Sequence, residues 1–148
     1  MAKATHAEHL EAARRLLAHE AAAAGSVADD ASAAATVYEK LFRALGPLLG
    51  EAGVGALLAR SVKLTHSAFP ALADVLAGGE LPGDVSEAGE RLRSSLRRLE
   101  PTVRLAAAAA VYGAFLRLLT SFVGEALVRQ VLRNAFPAMD QGAPKENE

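Results

Sequence analysis

Hydrophobic residues recur every three or four positions along most of the chain, the spacing that places them on one face of an α-helix. The clearest series are Leu10, Ala13, Leu17 and Ala21; Val37, Tyr38, Leu41, Phe42 and Leu45; and Val85, Ala88, Leu92, Leu96 and Leu99. Strong helix formers dominate the composition, whereas β-branched and aromatic residues are sparse. The pattern therefore predicts an all-α protein without strands.

Capping residues, glycines and prolines divide this pattern into about six helices. The predicted segments in the first half are Thr5 to Ala24, a second helix capped at residues 26–29 and ending near Leu45, a third continuing from Pro47 to Phe69, and a short extra turn at residues 71–77. A loop rich in Gly and Pro is expected at 78–83. Asp84 and Glu87 cap the fourth helix, and Pro101 lies in the first turn of the fifth.

Two stretches of the chain, residues 33–58 and 107–132, resemble each other without a gap. Identical pairs include Val37/Val111, Tyr38/Tyr112, Arg43/Arg117, Gly50/Gly124 and Glu51/Glu125. We interpret this as an internal duplication. In this alignment Thr120-Ser121 takes the place of Gly46-Pro47, which predicts that the helical run 102–135 breaks there; one uninterrupted helix is the alternative.

The duplication predicts a single-domain helical bundle, residues 1–140, built from two tandem three-helix units. The units span about 5–77 and 84–139 and are expected to pack about a pseudo-twofold axis. Helices two and five would meet along their alanine faces, with helices three and six as the inner layer and helices one and four outside. The polar tail, 141–148, is expected to be disordered.

Composition and charge narrow the function only slightly. With 148 residues, the chain is long enough for one hydrophobic core. A formal net charge of -1 gives no overall attraction to nucleic acid. Cysteine is absent, which excludes disulfides, Cys-ligated zinc and thiol catalysis. The first residues lack the apolar region of a secretory signal, and the apolar run Leu105–Leu116 is too short to span a membrane, so we expect a cytoplasmic protein.

The duplication repeats six residues that could carry chemistry: Tyr38, Arg43, Glu51, Tyr112, Arg117 and Glu125. One interpretation is structural, with Arg43–Glu51 and Arg117–Glu125 as ion pairs that fix each hairpin. The sharper interpretation brings them to the pseudo-twofold axis as a ligand-binding site. The Glu-x-x-His spacing of di-iron bundles is absent, so we predict no metal and no cofactor.

Two further clusters have mainly structural interpretations. His6 and His9 lie one helical turn apart and could bind a metal weakly, but a solvated helix face is the simpler expectation. Helix four contributes Arg91, Arg93, Arg97 and Arg98 to a locally cationic segment. A solvated face explains these arginines as well, and an acidic protein surface is a better partner for them than nucleic acid.

These observations predict a non-catalytic α-helical interaction or adaptor module, self-associating as a homodimer. The motivation is the 51% hydrophobic content and the lack of a catalytic constellation. The alternative is a small-molecule sensor whose apolar pocket lies between the two repeats. Its expected lining is Tyr38, Phe42, Tyr112, Phe115 and Leu116.

Overall fold

The computed structural model describes residues 6–23, 30–79 and 84–137. Within these ranges the chain forms six α-helices and one 3₁₀ helix. They are α1 (His6–Ala23), α2 (Asp30–Leu49), α3 (Glu51–Thr65), the 3₁₀ helix (Pro70–Gly79), α4 (Val85–Arg97), α5 (Pro101–Val123) and α6 (Glu125–Ala135). These ranges contain no strand, and the all-α prediction is confirmed. The predicted cap at Thr5, the cap at 26–29 and the tail 141–148 lie outside the described residues.

Helices α2 and α5 form the centre of the bundle. Each contacts the other and also contacts α1, α3, α4 and α6. Seven alanines of the two helices are buried: Ala31, Ala33, Ala34, Ala107, Ala108, Ala109 and Ala114. Small side chains allow two helix axes to approach closely. The Tyr112 hydroxyl of α5 donates a 2.6 Å hydrogen bond to the backbone oxygen of Ala34 in α2, so the two helices are also joined directly.

Helix α5 is long and apolar enough, by length and composition, to cross a membrane. More than half of its apolar window is buried inside the bundle. Core helices also meet this criterion, and the position of α5 between the other helices is that of a core helix. The expected cytoplasmic location stays a prediction.

The outer helices cross over between the two halves of the chain. Helix α1 packs mainly on α5, and α4 packs mainly on α2. A glycine lies at each crossing: a Cβ on Gly113 would lie 3.3 Å from the Leu10 Cα, and one on Gly89 would lie 3.6 Å from the Ala35 Cβ. Helix α1 can therefore approach α5 so closely only because position 113 has no side chain.

The predicted inner layer of helices three and six is wrong for helix six. Helix α3 packs on both α5 and α2, and α6 makes smaller contacts with the same two helices. Helix α6 buries only Val128 and Val131, whereas α1 buries Ala13, Leu16 and Leu17. The reason is that α6 has only 11 residues, so the apolar stripe that it offers to its neighbours is short.

Both helical hairpins break at a glycine, a few residues after the predicted positions. Helix α2 continues through Gly46 and Pro47 and ends before Gly50, and α5 continues through Thr120 and ends before Gly124. The (φ, ψ) angles are (81°, 152°) at Gly50 and (90°, 156°) at Gly124. Only glycine adopts this region readily. The break between helices five and six is thus present, but Gly46-Pro47 and Thr120-Ser121 are the wrong places for the two turns.

The two turns also share their backbone hydrogen bonds. The Gly50 N–H donates to the Gly46 oxygen at 2.8 Å, and the Val54 N–H donates to the Gly50 oxygen at 3.1 Å. At the second turn, Gly124 N–H donates to the Thr120 oxygen at 2.9 Å and Val128 N–H donates to the Gly124 oxygen at 3.1 Å. The two hairpins therefore turn with the same backbone conformation and the same pattern of hydrogen bonds.

The other helix ends follow the sequence more closely, with one exception. The predicted cap at Asp84 is confirmed, since its Oδ1 accepts from the N–H groups of Ser86 at 2.7 Å and Glu87 at 3.4 Å. Helix α3, however, ends at Thr65 and not at Phe69. The 3₁₀ helix then runs to Gly79, through the first part of the predicted loop.

Arg104 fixes the corner between α4 and α5. Its Nε donates to the Leu96 oxygen at 3.1 Å, and its Nη2 donates to the oxygens of Leu99 at 2.9 Å and Arg97 at 3.3 Å. Carbonyl groups at a helix C-terminus lack partners within the helix. One guanidinium from α5 therefore satisfies the end of α4.

Candidate functional site

The two repeated tyrosines lie together in the core. Tyr38 is 1% exposed and Tyr112 is fully buried, and each packs edge-on against a phenylalanine, Phe42 and Phe115 respectively. Burial raises the pKa of Tyr38 to about 12. Burial, and secondarily the nearby Tyr38, raise the pKa of Tyr112 well above its usual value. Both phenols are therefore neutral at ordinary pH.

The repeated charged residues lie at the surface. Arg43, Glu51 and Arg117 are exposed, and Glu125 lies 4.0 Å from Arg129 of its own helix. The ion pairs of the described residues include neither Arg43–Glu51 nor Arg117–Glu125. The displaced turns explain this, because each arginine lies seven residues before the glycine and each glutamate directly follows it. The structure brings the tyrosines together without the charged residues, and a ligand-binding role for the six stays a prediction.

Three arginines of α4 and Arg98, which directly follows the helix, all contact groups of the same chain. Arg91 lies 3.9 Å from Glu87, and the Arg93 Nε donates to Glu90 at 3.0 Å. This hydrogen bond lowers the pKa of Glu90. The Arg97 Nη2 lies 3.3 Å from the Ser32 hydroxyl of α2, and Arg98 pairs with Asp74 of the 3₁₀ helix. Arg97 and Arg98 thus hold α4 against its neighbours, and a partner-binding role for the four stays a prediction.

The histidine cluster does not behave as a solvated helix face. His9 is buried, and its Nε2 lies 3.4 Å from the Thr120 hydroxyl of α5. The expectation of a solvated face is wrong for His9, because α1 crosses α5 at this point. The His6 side chain lies outside the described residues. In the described part of the chain, no group of three or more His, Asp or Glu side chains could hold a metal ion.

A cleft of about 530 Å³ lies between α2 and α6. Ten residues line it: Lys40, Arg43, Ala44, Pro47 and Leu48 from α2, and Leu127, Gln130, Val131, Asn134 and Ala135 from α6. Each set follows the spacing of one helical stripe. None of the five residues expected to line a pocket between the repeats contributes to this cleft. The rings of Tyr38 and Phe42, and those of Tyr112 and Phe115, pack edge-on, and a pocket between the repeats stays a prediction.

On the α2 side of the cleft, the lining residues are ordered from polar, Lys40 and Arg43, to apolar, ending at Leu48. The Lys40 Nζ lies 5.6 Å from the centre of the Phe136 ring, so the start of the α2 stripe lies beside the end of α6. Lys40 and Asn134 therefore belong to one end of the cleft, and Leu48 and Leu127 to the other. Arg43 lies one turn from Lys40 on the same face of α2.

A buried carboxylate sets the charge at the polar end. Glu20 of α1 is only 5% exposed, and its Oε2 accepts a 2.6 Å hydrogen bond from the Lys40 Nζ. A carboxylate so deeply buried needs a cation beside it. Lys40 and Glu20 therefore neutralise each other. Arg43 takes part in none of the ion pairs formed among described residues, and it supplies the net positive charge of the lining.

Sequence reasoning missed most of this cleft, including Lys40, Gln130 and Asn134. The helical stripes of α2 and α6 are visible in the sequence, but their mixed polarity is typical of any exposed helix face. Nothing in the spacing indicates that these two stripes face each other. Comparison of the chain with protein-family models, with curated proteins and with solved structures gave no match.

Proposed function

We propose that the chain is a non-catalytic α-helical interaction module that self-associates through the surface around Phe122. Phe122 is 70% exposed. The other four phenylalanines of the chain are buried or partly buried. Burying a phenylalanine side chain contributes roughly 1.5–3 kcal/mol, and Phe122 gains little of this energy within the described bundle because most of its side chain is exposed. We propose no reaction for this chain.

The proposal includes an internal duplication, with two tandem three-helix units related by a pseudo-twofold axis. Two observations support it. Gly50 and Gly124, which align in the sequence, carry the same backbone angles and the same hydrogen bonds. The outer helix of each half also packs on the central helix of the other half, α1 on α5 and α4 on α2, which is consistent with a twofold axis.

Self-association is the interaction that fits this surface best. In a twofold dimer the same patch meets itself, so one exposed aromatic residue supplies both sides of the contact. An aromatic pair contributes roughly 0.5–1.5 kcal/mol beyond the area that it buries. The net charge of -1 gives no long-range repulsion between copies. A homodimer is therefore the expected form of the protein.

Sedimentation velocity at protein concentrations between about 10 and 100 µM tests this proposal. Over this range the fraction of dimer changes strongly if the association is weak. The wild-type protein is expected to sediment as a dimer at the upper end, and Phe122→Ser is expected to remain monomeric. Val103→Ser is the matched control, since Val103 is exposed on the same helix about 28 Å away along its axis. A wild-type protein that stays monomeric, or a Phe122→Ser variant that still dimerises, would refute the proposal.

A further inference from the structure

From the geometry of the cleft between α2 and α6, we infer that it binds an amphiphilic carboxylate, of the class of medium-chain fatty acids. The carboxylate lies on the Arg43 guanidinium and the alkyl chain runs towards Leu48 and Leu127. This binding activity is separate from self-association, because Phe122 is not among the lining residues.

The size of the cleft suits a small molecule. Small-molecule sites in proteins usually enclose roughly 300–1,000 Å³, and this cleft has about 530 Å³. The α2 stripe from Lys40 to Leu48 is about 12 Å long, given the rise of a helix. The cleft therefore runs along about 12 Å of α2, a length that suits a single extended chain.

The order of side chains along the cleft gives the ligand its direction. Beyond the polar end, five apolar residues line the walls and floor: Ala44, Pro47, Leu48, Leu127 and Val131. Leu48 is 52% exposed although it is a large aliphatic residue. An alkyl chain along this wall would cover it and remove apolar surface from water.

The charge of the cleft selects an anion. Among the residues that the structure describes, the lining contains two cations and no carboxylate, and Glu20 already neutralises Lys40. A guanidinium presents a planar pair of N–H donors that matches the two oxygens of a carboxylate. Arg43 lies where such a group would meet the polar head of the ligand. An amine with an alkyl chain would meet uncompensated positive charge here.

The absence of aromatic lining argues against a flat ring as the ligand. None of the described residues that line the cleft is aromatic, and the neighbouring Phe136 ring is buried and lies under the Lys40 ammonium. Stacking would therefore find no platform. Gln130 and Asn134 add hydrogen-bonding side chains at the middle and at the polar end.

Isothermal titration with decanoate tests this inference on the full-length protein. Wild-type protein is expected to bind decanoate with a dissociation constant well below about 1 mM. The Arg43→Gln variant is expected to bind at least about tenfold more weakly, because it loses a charge-assisted pair of hydrogen bonds. The matched control is Arg117→Gln, which removes an equally exposed arginine that does not line the cleft, and it is expected to bind like the wild type.

Decanol, which has the same chain without the charge, separates anion recognition from simple apolar binding. It is expected to bind at least about tenfold more weakly than decanoate. The inference is overturned if decanoate does not bind at about 1 mM, if Arg43→Gln binds it as tightly as Arg117→Gln does, or if decanol binds equally well. Circular dichroism of the two variants shows that both remain folded. Titration of the Phe122→Ser variant with decanoate separates this test from the test of self-association, because Phe122 is not among the lining residues.

Discussion

The two helical hairpins of the bundle share a turn and differ in how closely the returning helix packs. In both, a glycine with positive φ ends the first helix and begins the second with the same hydrogen bonds. After Gly50, α3 buries Val54, Leu57, Leu58, Ser61 and Val62. After Gly124, α6 buries only Val128 and Val131 and leaves the cleft against α2. The same turn therefore leads to one closed flank and one open flank.

One aligned pair of residues marks this difference. In the sequence alignment Lys40 of α2 corresponds to Ala114 of α5, which is buried. The Lys40 side chain is 35% exposed and extends to Glu20 and over the Phe136 ring. The open flank of α2 therefore holds a half-buried ion pair, whereas the same position of α5 holds a buried alanine.

Alanine substitutions at aligned positions of α3 and α6 should lower the stability of the closed flank more than that of the open flank. Leu58 of α3 is fully buried, whereas its counterpart Leu132 of α6 is only partly buried. Leu58→Ala should lower the free energy of unfolding by about 2–5 kcal/mol through lost burial and a cavity. Leu132→Ala should cost under about 1.5 kcal/mol, because its site is already open to water. Urea unfolding followed by circular dichroism measures both. Equal losses would show that the two flanks are packed alike.

The two turns, in contrast, should respond equally. Gly50→Ala and Gly124→Ala should each lower the free energy of unfolding by about 1–3 kcal/mol, because alanine is strained at these backbone angles. An added Cβ would meet no atom within 4 Å at either position, so the cost is purely conformational.

Gly46→Ala is the control for the turns, since Gly46 lies inside α2 with equal space around it. It should raise the free energy of unfolding by up to about 1 kcal/mol, the difference in helix propensity between the two residues. If the turn variants unfold at the same urea concentration as Gly46→Ala, alanine is not strained at positions 50 and 124.

A further expected effect concerns the tyrosines of the two central helices and appears only at high pH. Burial raises the pKa of both tyrosines in the folded state, so the folded protein keeps protons that the unfolded chain loses above pH ~10. Stability is therefore complete below pH ~10 and falls above it, by up to about 1.4 kcal/mol per pH unit for each tyrosine.

Urea unfolding at pH 9, 10 and 11 checks this loss. Tyr112→Phe should remove about half of the slope above pH ~10. At pH 9 the variant should be weaker than the wild type by about 1 kcal/mol, because it lacks the hydrogen bond to Ala34. A Tyr112→Phe variant with the wild-type slope would show that Tyr112 does not titrate on unfolding.

Local signals in the sequence predicted much of the fold. The Asp84 cap, the apolar stripe of α4 and the first turn of α5 at Pro101 all follow from the identities of neighbouring residues. Predicting the positions of the two turns required a choice between two local signals. Gly46-Pro47 resembles a helix end, but α2 passes through it, and the aligned pair Gly50/Gly124 marks the true breaks because only glycine fits their backbone angles.

The candidate cleft could not be predicted in this way. Lys40 and Glu20 are twenty residues apart and on different helices, so no helical spacing relates them. His9 shows the same limit, since a surface position by pattern becomes buried when α1 crosses α5.

Local patterns in the sequence specify the helices of this protein and the face that most of them bury, because a helix repeats every 3.6 residues and its apolar positions are fixed by neighbours along the chain. Which helix covers which is set by tertiary contacts. The crossing of α1 over α5, the pairing of Lys40 with Glu20 and the open flank of α2 all depend on contacts between residues distant in sequence. Such contacts follow from the shape and charge of the assembled helices, which no local pattern contains.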